Sequence, residues 1–186
     1  MSTQTNKRRA SGTPEGAFGL IQRHLTTSIV DVFRDYKVTA KAEKGDASSV
    51  DEDVVVAVIG FAGDHLRGSL VLTAGVGSIE QWKQPFGAVD ENTDACDMLG
   101  ELANMVLGRL KGKLLGEGLP ILMSTPTSAR GPSVVLMRTD RPEQQLEFNG
   151  EGWRLSARVD AAFDDGFGLQ EEPTVVAAAA GDVLLF

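Results

Sequence analysis

From Asp94 to Gly118 the chain reads DACDMLGELANMVLGRLKGKLLGEG, and its apolar residues return at helical spacing rather than in alternation. At about 100° per residue, Met98, Leu99, Leu102, Ala103, Met105, Val106, Leu107, Leu110 and Leu114 cover more than half the circumference of such a helix. A chain that contains this helix has to bury most of it. One narrow polar seam stays open to solvent.

Asp97, Glu101, Asn104 and Gly108 follow one another at steps of four, three and four residues, which places them on that seam. Gly100, Gly108 and Gly112 lie on or beside it, although each mid-helix glycine costs roughly 1 kcal/mol against alanine. Missing side chains next to a carboxylate and a carboxamide let the backbone or phosphate of another molecule approach. Taken singly, Glu101 and Asn104 read as ordinary solvated positions. Their coincidence with the glycines, and the poor helix propensity of Asn, favour a docking surface.

Other residues of the segment carry two readings each. Asp97 lies in ENTDACD, which is also a helix start with Asn92, Thr93 or Asp94 as the cap, and a first-turn carboxylate is favoured by the helix dipole. Arg109 and Lys113 fall inside the apolar arc, by snorkelling or because the helix end is exposed. Lys111 sits close to the seam, as a contact for an acidic partner or as a cation suited to a helix C-terminus.

The remaining pattern predicts an α and β domain with two related halves. Pro14 to Tyr36 reads as one long helix, with Phe18, Ile21, Leu25, Ile29, Val32 and Phe33 at helical spacing. KVTAKAEK, DVVVAVIGFAG and RGSLVLTAG then read as three strands, and SIEQWKQPFG as a short helical linker. After the seam helix, which ends near Gly116, PILMSTPT, SVVLMRT with its extension and GWRLSARVDAAF read as three more strands. The order is helix plus three strands, twice. Trp82, Trp153, Phe163 and Phe167 are expected as core or rim aromatics.

A formal net charge of −8 and a pI near 4.8 argue against nonspecific nucleic-acid binding. Cys96 is the single cysteine, and His24 and His65 come without a cysteine cluster, so a metal-independent fold is expected. Residues 1–13 carry Lys7, Arg8 and Arg9 with no apolar run behind them, and are expected to form a disordered arm rather than a secretory signal. No stretch approaches the roughly 20 apolar residues of a membrane span. The cytoplasm is the expected location.

Asp97, Glu101, Asn104 and Gly108, followed by Pro126 in LPILMSTPTSARG, resemble the signature of CheX-type chemotaxis phosphatases of the CheC/CheX/FliY family. The resemblance covers about residues 14 to 163. It implies an α+β, CheC-like fold in which two helix-plus-three-strand halves form one domain over residues 14–165, with the signature helix against the sheet. It also implies hydrolysis of the aspartyl phosphate on a CheY-like response regulator. Glu101 would engage the regulator's active-site lysine, Asn104 would orient the attacking water, and Asp97 and Gly108 would support them; by their place at the seam Gly100 and Lys111 are further supporting candidates. No cofactor would be bound by this chain, and Mg²⁺ would come with the partner.

The first long helix has no Glu, Asn and Gly at the signature spacing, so one site per chain is expected, closer to CheX than to two-site CheC proteins, and the resemblance to CheX implies a homodimer. A binding module of the same fold that recognises the regulator without hydrolysis is the alternative, and an unrelated scaffold whose seam contacts another subunit is a third. Residues 166–186 form an extension ending in Val183, Leu184, Leu185 and Phe186. Packing on the domain or on a dimer mate is its plainest role.

Overall fold

Period-two alternation in DVVVAVIGFAG, RGSLVLTAG and GWRLSARVDAAF, interleaved with two long amphipathic segments, builds a sheet with helices on one face. The computed structural model describes residues 14–43, 53–87, 94–132, 145–164 and 167. In chain order the elements are α1 (Pro14–Asp35), β1 (Lys41–Glu43), β2 (Val54–Ala62), β3 (Leu66–Gly75), α2 (Val76–Lys83), α3 (Ala95–Leu115), β4 (Leu122–Met123), β5 (Thr127–Gly131), β6 (Gln145–Gly150) and β7 (Trp153–Phe163). The seven strands run in the order β1, β6, β7, β3, β2, β4, with β5 also on β2, and every pairing is antiparallel.

Counting β4 and β5 as one interrupted strand, each half supplies a helix and three strands. Across the sheet these stand as first of the leading half, second and third of the trailing half, third and second of the leading half, then first of the trailing half. Exchanging the halves reproduces the same order read from the opposite edge. Each half therefore completes the sheet of the other, and the duplication expected from the sequence is present in the topology.

Val55, Ala57, Ile59 and Phe61 of β2, Leu70, Leu72 and Ala74 of β3, and Leu155, Ala157, Val159 and Ala161 of β7 point to the helical side and are buried. On that face α3 lies over β2 and β3, and α1 packs beside it. The buried stripe of α1 is Ala17, Leu20, Ile21, Leu25, Ile29, Val32 and Phe33. Phe33 stacks on Trp153, ring centroids 4.6 Å apart, and meets Trp82 edge-on at 5.3 Å. Both tryptophans belong to the core, while Phe163 and Phe167 pair at the rim, 4.6 Å apart.

Two expected strands differ. In KVTAKAEK the strand begins only at Lys41 and is described to Glu43, all exposed, while Val38 and Ala40 before it pack against the core outside the ladder. PILMSTPT is split into β4 and the start of β5, and β5 continues into Ser128, Ala129 and Arg130. SVVLMRT lies outside the described residues, as do the N-terminal arm, Asn92, Thr93 and the tail from Leu169.

Candidate functional site

Asp94 caps α3 by accepting the Cys96 N–H at 3.3 Å, and the helix ends at Leu115, where Gly118 turns the chain with a φ of 76°. Between these ends Asp97, Glu101, Asn104, Gly108, Lys111, Gly112 and Leu115 are exposed. Leu99, Leu102, Ala103, Val106, Leu107, Leu110 and Leu114 are buried. The three- and four-residue steps keep the exposed positions on one strip along about 30 Å of helix.

Neither Glu101 nor Asn104 has a hydrogen-bond or ion-pair partner among the described residues. A carboxylate acceptor and, one turn on, a carboxamide that both donates and accepts therefore face outward uncommitted. At Gly108 and Gly112 an added Cβ would meet nothing within 4 Å, so the strip is open beside the carboxamide. Half-buried Met98 and Met105 pack against the core beneath it, and the Tyr36 hydroxyl donates to Met105 Sδ at 3.5 Å.

Gly100 differs from the expectation that it belongs to the open seam. It is buried, and a Cβ there would stand 3.0 Å from Ser128 Oγ and 3.9 Å from Pro126 Cγ. Its role is to let β5 come close to the helix. Angular position alone put it beside Glu101, but the sheet edge covers that side.

Arg109 and Lys113 interrupt the apolar arc because α1 offers them carboxylates. Arg109 pairs with Asp35, and Lys113 Nζ reaches Asp31 Oδ2 at 3.0 Å. These ion pairs lock the two helices side by side, away from the strip. His24 Nε2 lies 3.0 Å from Glu117 Oε1, which ties α1 to the loop after α3.

Near the helix start, burial pushes the Cys96 thiol above its usual range, and the charges of Asp94 and Asp97 add to this against Arg130. Arg130 itself holds Asp53 at 3.0 Å. Asp97 is exposed in the first turn, a placement that fits both of its readings. Pro126, which the sequence already marks as part of the signature, stands on this flank with Ser128 and Arg130, the two residues that sequence reasoning missed. An open groove of about 620 Å³ bordered by Ala62, Arg67, Leu122 and Asp160 shares no residue with the α3 strip.

Residues 55–149 match a family model described as chemotaxis phosphatase CheX, a span that includes all of α3. No curated protein matches the sequence. Among solved structures, the fold is similar to that of the chemotaxis protein CheX from Vibrio vulnificus, at 22% identity over 76% of this chain and 96% of that one, with a TM-score of 0.66. A CheC-like superfamily protein from Shewanella sp. PV-4 aligns at 23% identity over 76% and 97%, TM-score 0.64. The CheX–CheY–BeF3–Mg²⁺ complex from Borrelia burgdorferi aligns at 16% identity over 76% and 97%, TM-score 0.59. Likeness at these identities is likeness of fold.

Proposed function

The chain belongs to the CheX family of chemotaxis phosphatases, and from that premise we propose that it hydrolyses the aspartyl phosphate of a CheY-like response regulator, in chemotaxis or a related two-component pathway. One observation carries this reading: Glu101 and Asn104 stand one turn apart, exposed and without a partner among the described residues, beside a glycine with open space above it.

An acyl phosphate is already activated, and phosphoryl transfer through a loose transition state asks mainly for in-line placement and charge stabilisation. Asn104 meets the first demand. Its amide holds a water as acceptor and donor without taking the proton, so no titrating base is needed on this chain. Glu101 engages the lysine of the regulator's active site and so sets Asn104 over the phosphorus. The phosphate contacts and Mg²⁺ come with the regulator, in keeping with the CheY, BeF3 and Mg²⁺ of the Borrelia complex. Gly108 gives clearance, and Lys111 meets an acidic part of the partner. We also propose a homodimer acting in the cytoplasm.

The test follows phosphate loss from a purified CheY-like regulator phosphorylated with acetyl phosphate. Wild type should shorten the phosphoryl lifetime, and Asn104→Ala should lose about a hundredfold of that effect while folding normally. Wild type that binds the phosphorylated regulator without shortening its lifetime would make the chain a recognition module of the same fold instead.

A further inference from the structure

Resting on that functional reading and extending it, we infer that Ser124 is a positioning residue for the turn that carries Glu101 and Asn104, acting through a one-residue bulge in the sheet edge. Leu122 and Met123 pair with Ala62 and Phe61, whereas Thr127 pairs with Val58. Two residues of β2, Ile59 and Gly60, therefore face three, Ser124, Thr125 and Pro126. This is a β-bulge.

The extra residue has a consequence for direction. Met123, opposite buried Phe61, packs against the core on the helical side, and Ser128, opposite Ala57, lies against Gly100 of α3 on the same side. An uninterrupted strand would turn positions five apart to opposite faces. The bulge is what brings Ser128 and Pro126 under the helix.

Pro126 has no N–H to give to the ladder, and Ser124 supplies the bonds that hold the bulge down. Its N–H donates to the Gly60 carbonyl at 2.9 Å, and its Oγ accepts the Gly60 N–H, also at 2.9 Å. The same hydroxyl donates to the Thr125 carbonyl at 3.2 Å. One serine thus satisfies both backbone groups of Gly60. A Cβ on Gly60 would lie 3.3 Å from that Oγ, so glycine permits the approach.

Gly100 directly precedes Glu101 and lies one turn before Asn104. With Pro126 and Ser128 pressed against it, the roll of α3 is set at that turn, and so is the direction of both outward side chains. A misplacement of about 1 Å at a reacting centre costs on the order of a hundredfold in rate.

The experiment uses the full chain and the phosphorylated CheY-like regulator, reading kcat, KM and thermal midpoint. For Ser124→Ala, kcat should fall about tenfold with KM changed by no more than about threefold, and Ser124→Thr, which keeps the hydroxyl, should restore it. Gly100→Ala should lower kcat in the same way from the helix side, and adding Ser128→Ala should recover it by removing the Oγ that the new Cβ meets. A lower thermal midpoint with wild-type kcat in Ser124→Ala would mean a structural role only and overturn the inference. Should Ser124→Ala not fold, the Gly100 variants decide, and wild-type kcat in Gly100→Ala overturns it. Should wild type itself leave the phosphoryl lifetime unchanged, the catalytic reading fails separately. The same variants are then scored by Kd for the regulator loaded with beryllofluoride and Mg²⁺, where a loss of about threefold, regained with Ser124→Thr, supports positioning and an unchanged Kd overturns it.

Discussion

Lys113 Nζ on α3 stands 3.0 Å from Asp31 Oδ2 on α1, and Arg34 Nη2 holds the other oxygen of the same carboxylate at 2.6 Å. Burial pushes the Asp31 carboxyl up, but the hydrogen bond and charge of Lys113, together with Arg34, outweigh it and leave the group below its ordinary range. A depressed folded-state value means stability that is present above the unfolded-state pKa, about 4, and lost as pH falls through the folded-state one. Asp31→Asn should therefore cost about 1 kcal/mol at neutral pH and flatten the acid limb of the stability profile. Urea unfolding at several pH values checks this. A variant as stable as wild type at neutral pH and equally acid-sensitive would remove the claim.

Trp82 is fully buried between Phe33 and Trp153, and its Nε1 has no hydrogen-bond partner among the described residues. An unpaired buried donor carries a desolvation penalty, so replacing the indole with an apolar ring removes a cost as well as some packing. Trp82→Phe should cost less than about 2 kcal/mol, against about 3 to 5 for Trp82→Ala. Chemical denaturation measures both. Equal losses would show that the unpaired N–H is not a liability.

The elements legible in the sequence are those whose burial pattern is local. The apolar arc of α3, the stripe of α1 and the alternation of β2, β3 and β7 each identify themselves, because period and face are read within one segment. The bulge at Ser124–Pro126 is not local. It exists only as a mismatch between Phe61 with Met123 and Val58 with Thr127, so PILMSTPT read alone looks continuous. Helical angle alone sets Gly100 beside the seam, and only the approach of Pro126 and Ser128 shows that its side is covered. Arg109 and Lys113 likewise stay ambiguous until Asp35 and Asp31 appear across the helix pair. Glu101, Asn104 and Gly108 were legible because exposure on a mostly apolar helix follows from spacing.

Glu101 makes no ion pair among the described residues, so changing it should leave folding stability within about 0.5 kcal/mol. If it engages a lysine of the regulator, charge reversal sets like charges face to face. Glu101→Lys should weaken binding to the beryllofluoride-loaded regulator by at least about tenfold, with Glu101→Gln losing less. Titration calorimetry at two salt concentrations tests the electrostatic origin. Equal affinity for the Lys and Gln variants would assign Glu101 no charge-based role.

Gly108 offers the sharpest separation of folding from docking. In the free chain a Cβ at this position meets nothing within 4 Å, so Gly108→Ala gains helix propensity without a clash and should stabilise the protein by about 0.5 to 1 kcal/mol. Gly112→Ala, equally open one turn further from Asn104, should give a similar gain. If the regulator closes over the Asn104 turn, as proposed, the two variants separate, because a methyl group at Gly108 would then stand in the space its phosphate-bearing surface needs. Turnover or regulator affinity should therefore drop severalfold in Gly108→Ala and less in Gly112→Ala, while both unfold at higher urea than wild type. Stabilisation with undiminished turnover in Gly108→Ala would mean that the partner does not approach the helix there, and the glycine would have to be explained by something other than clearance.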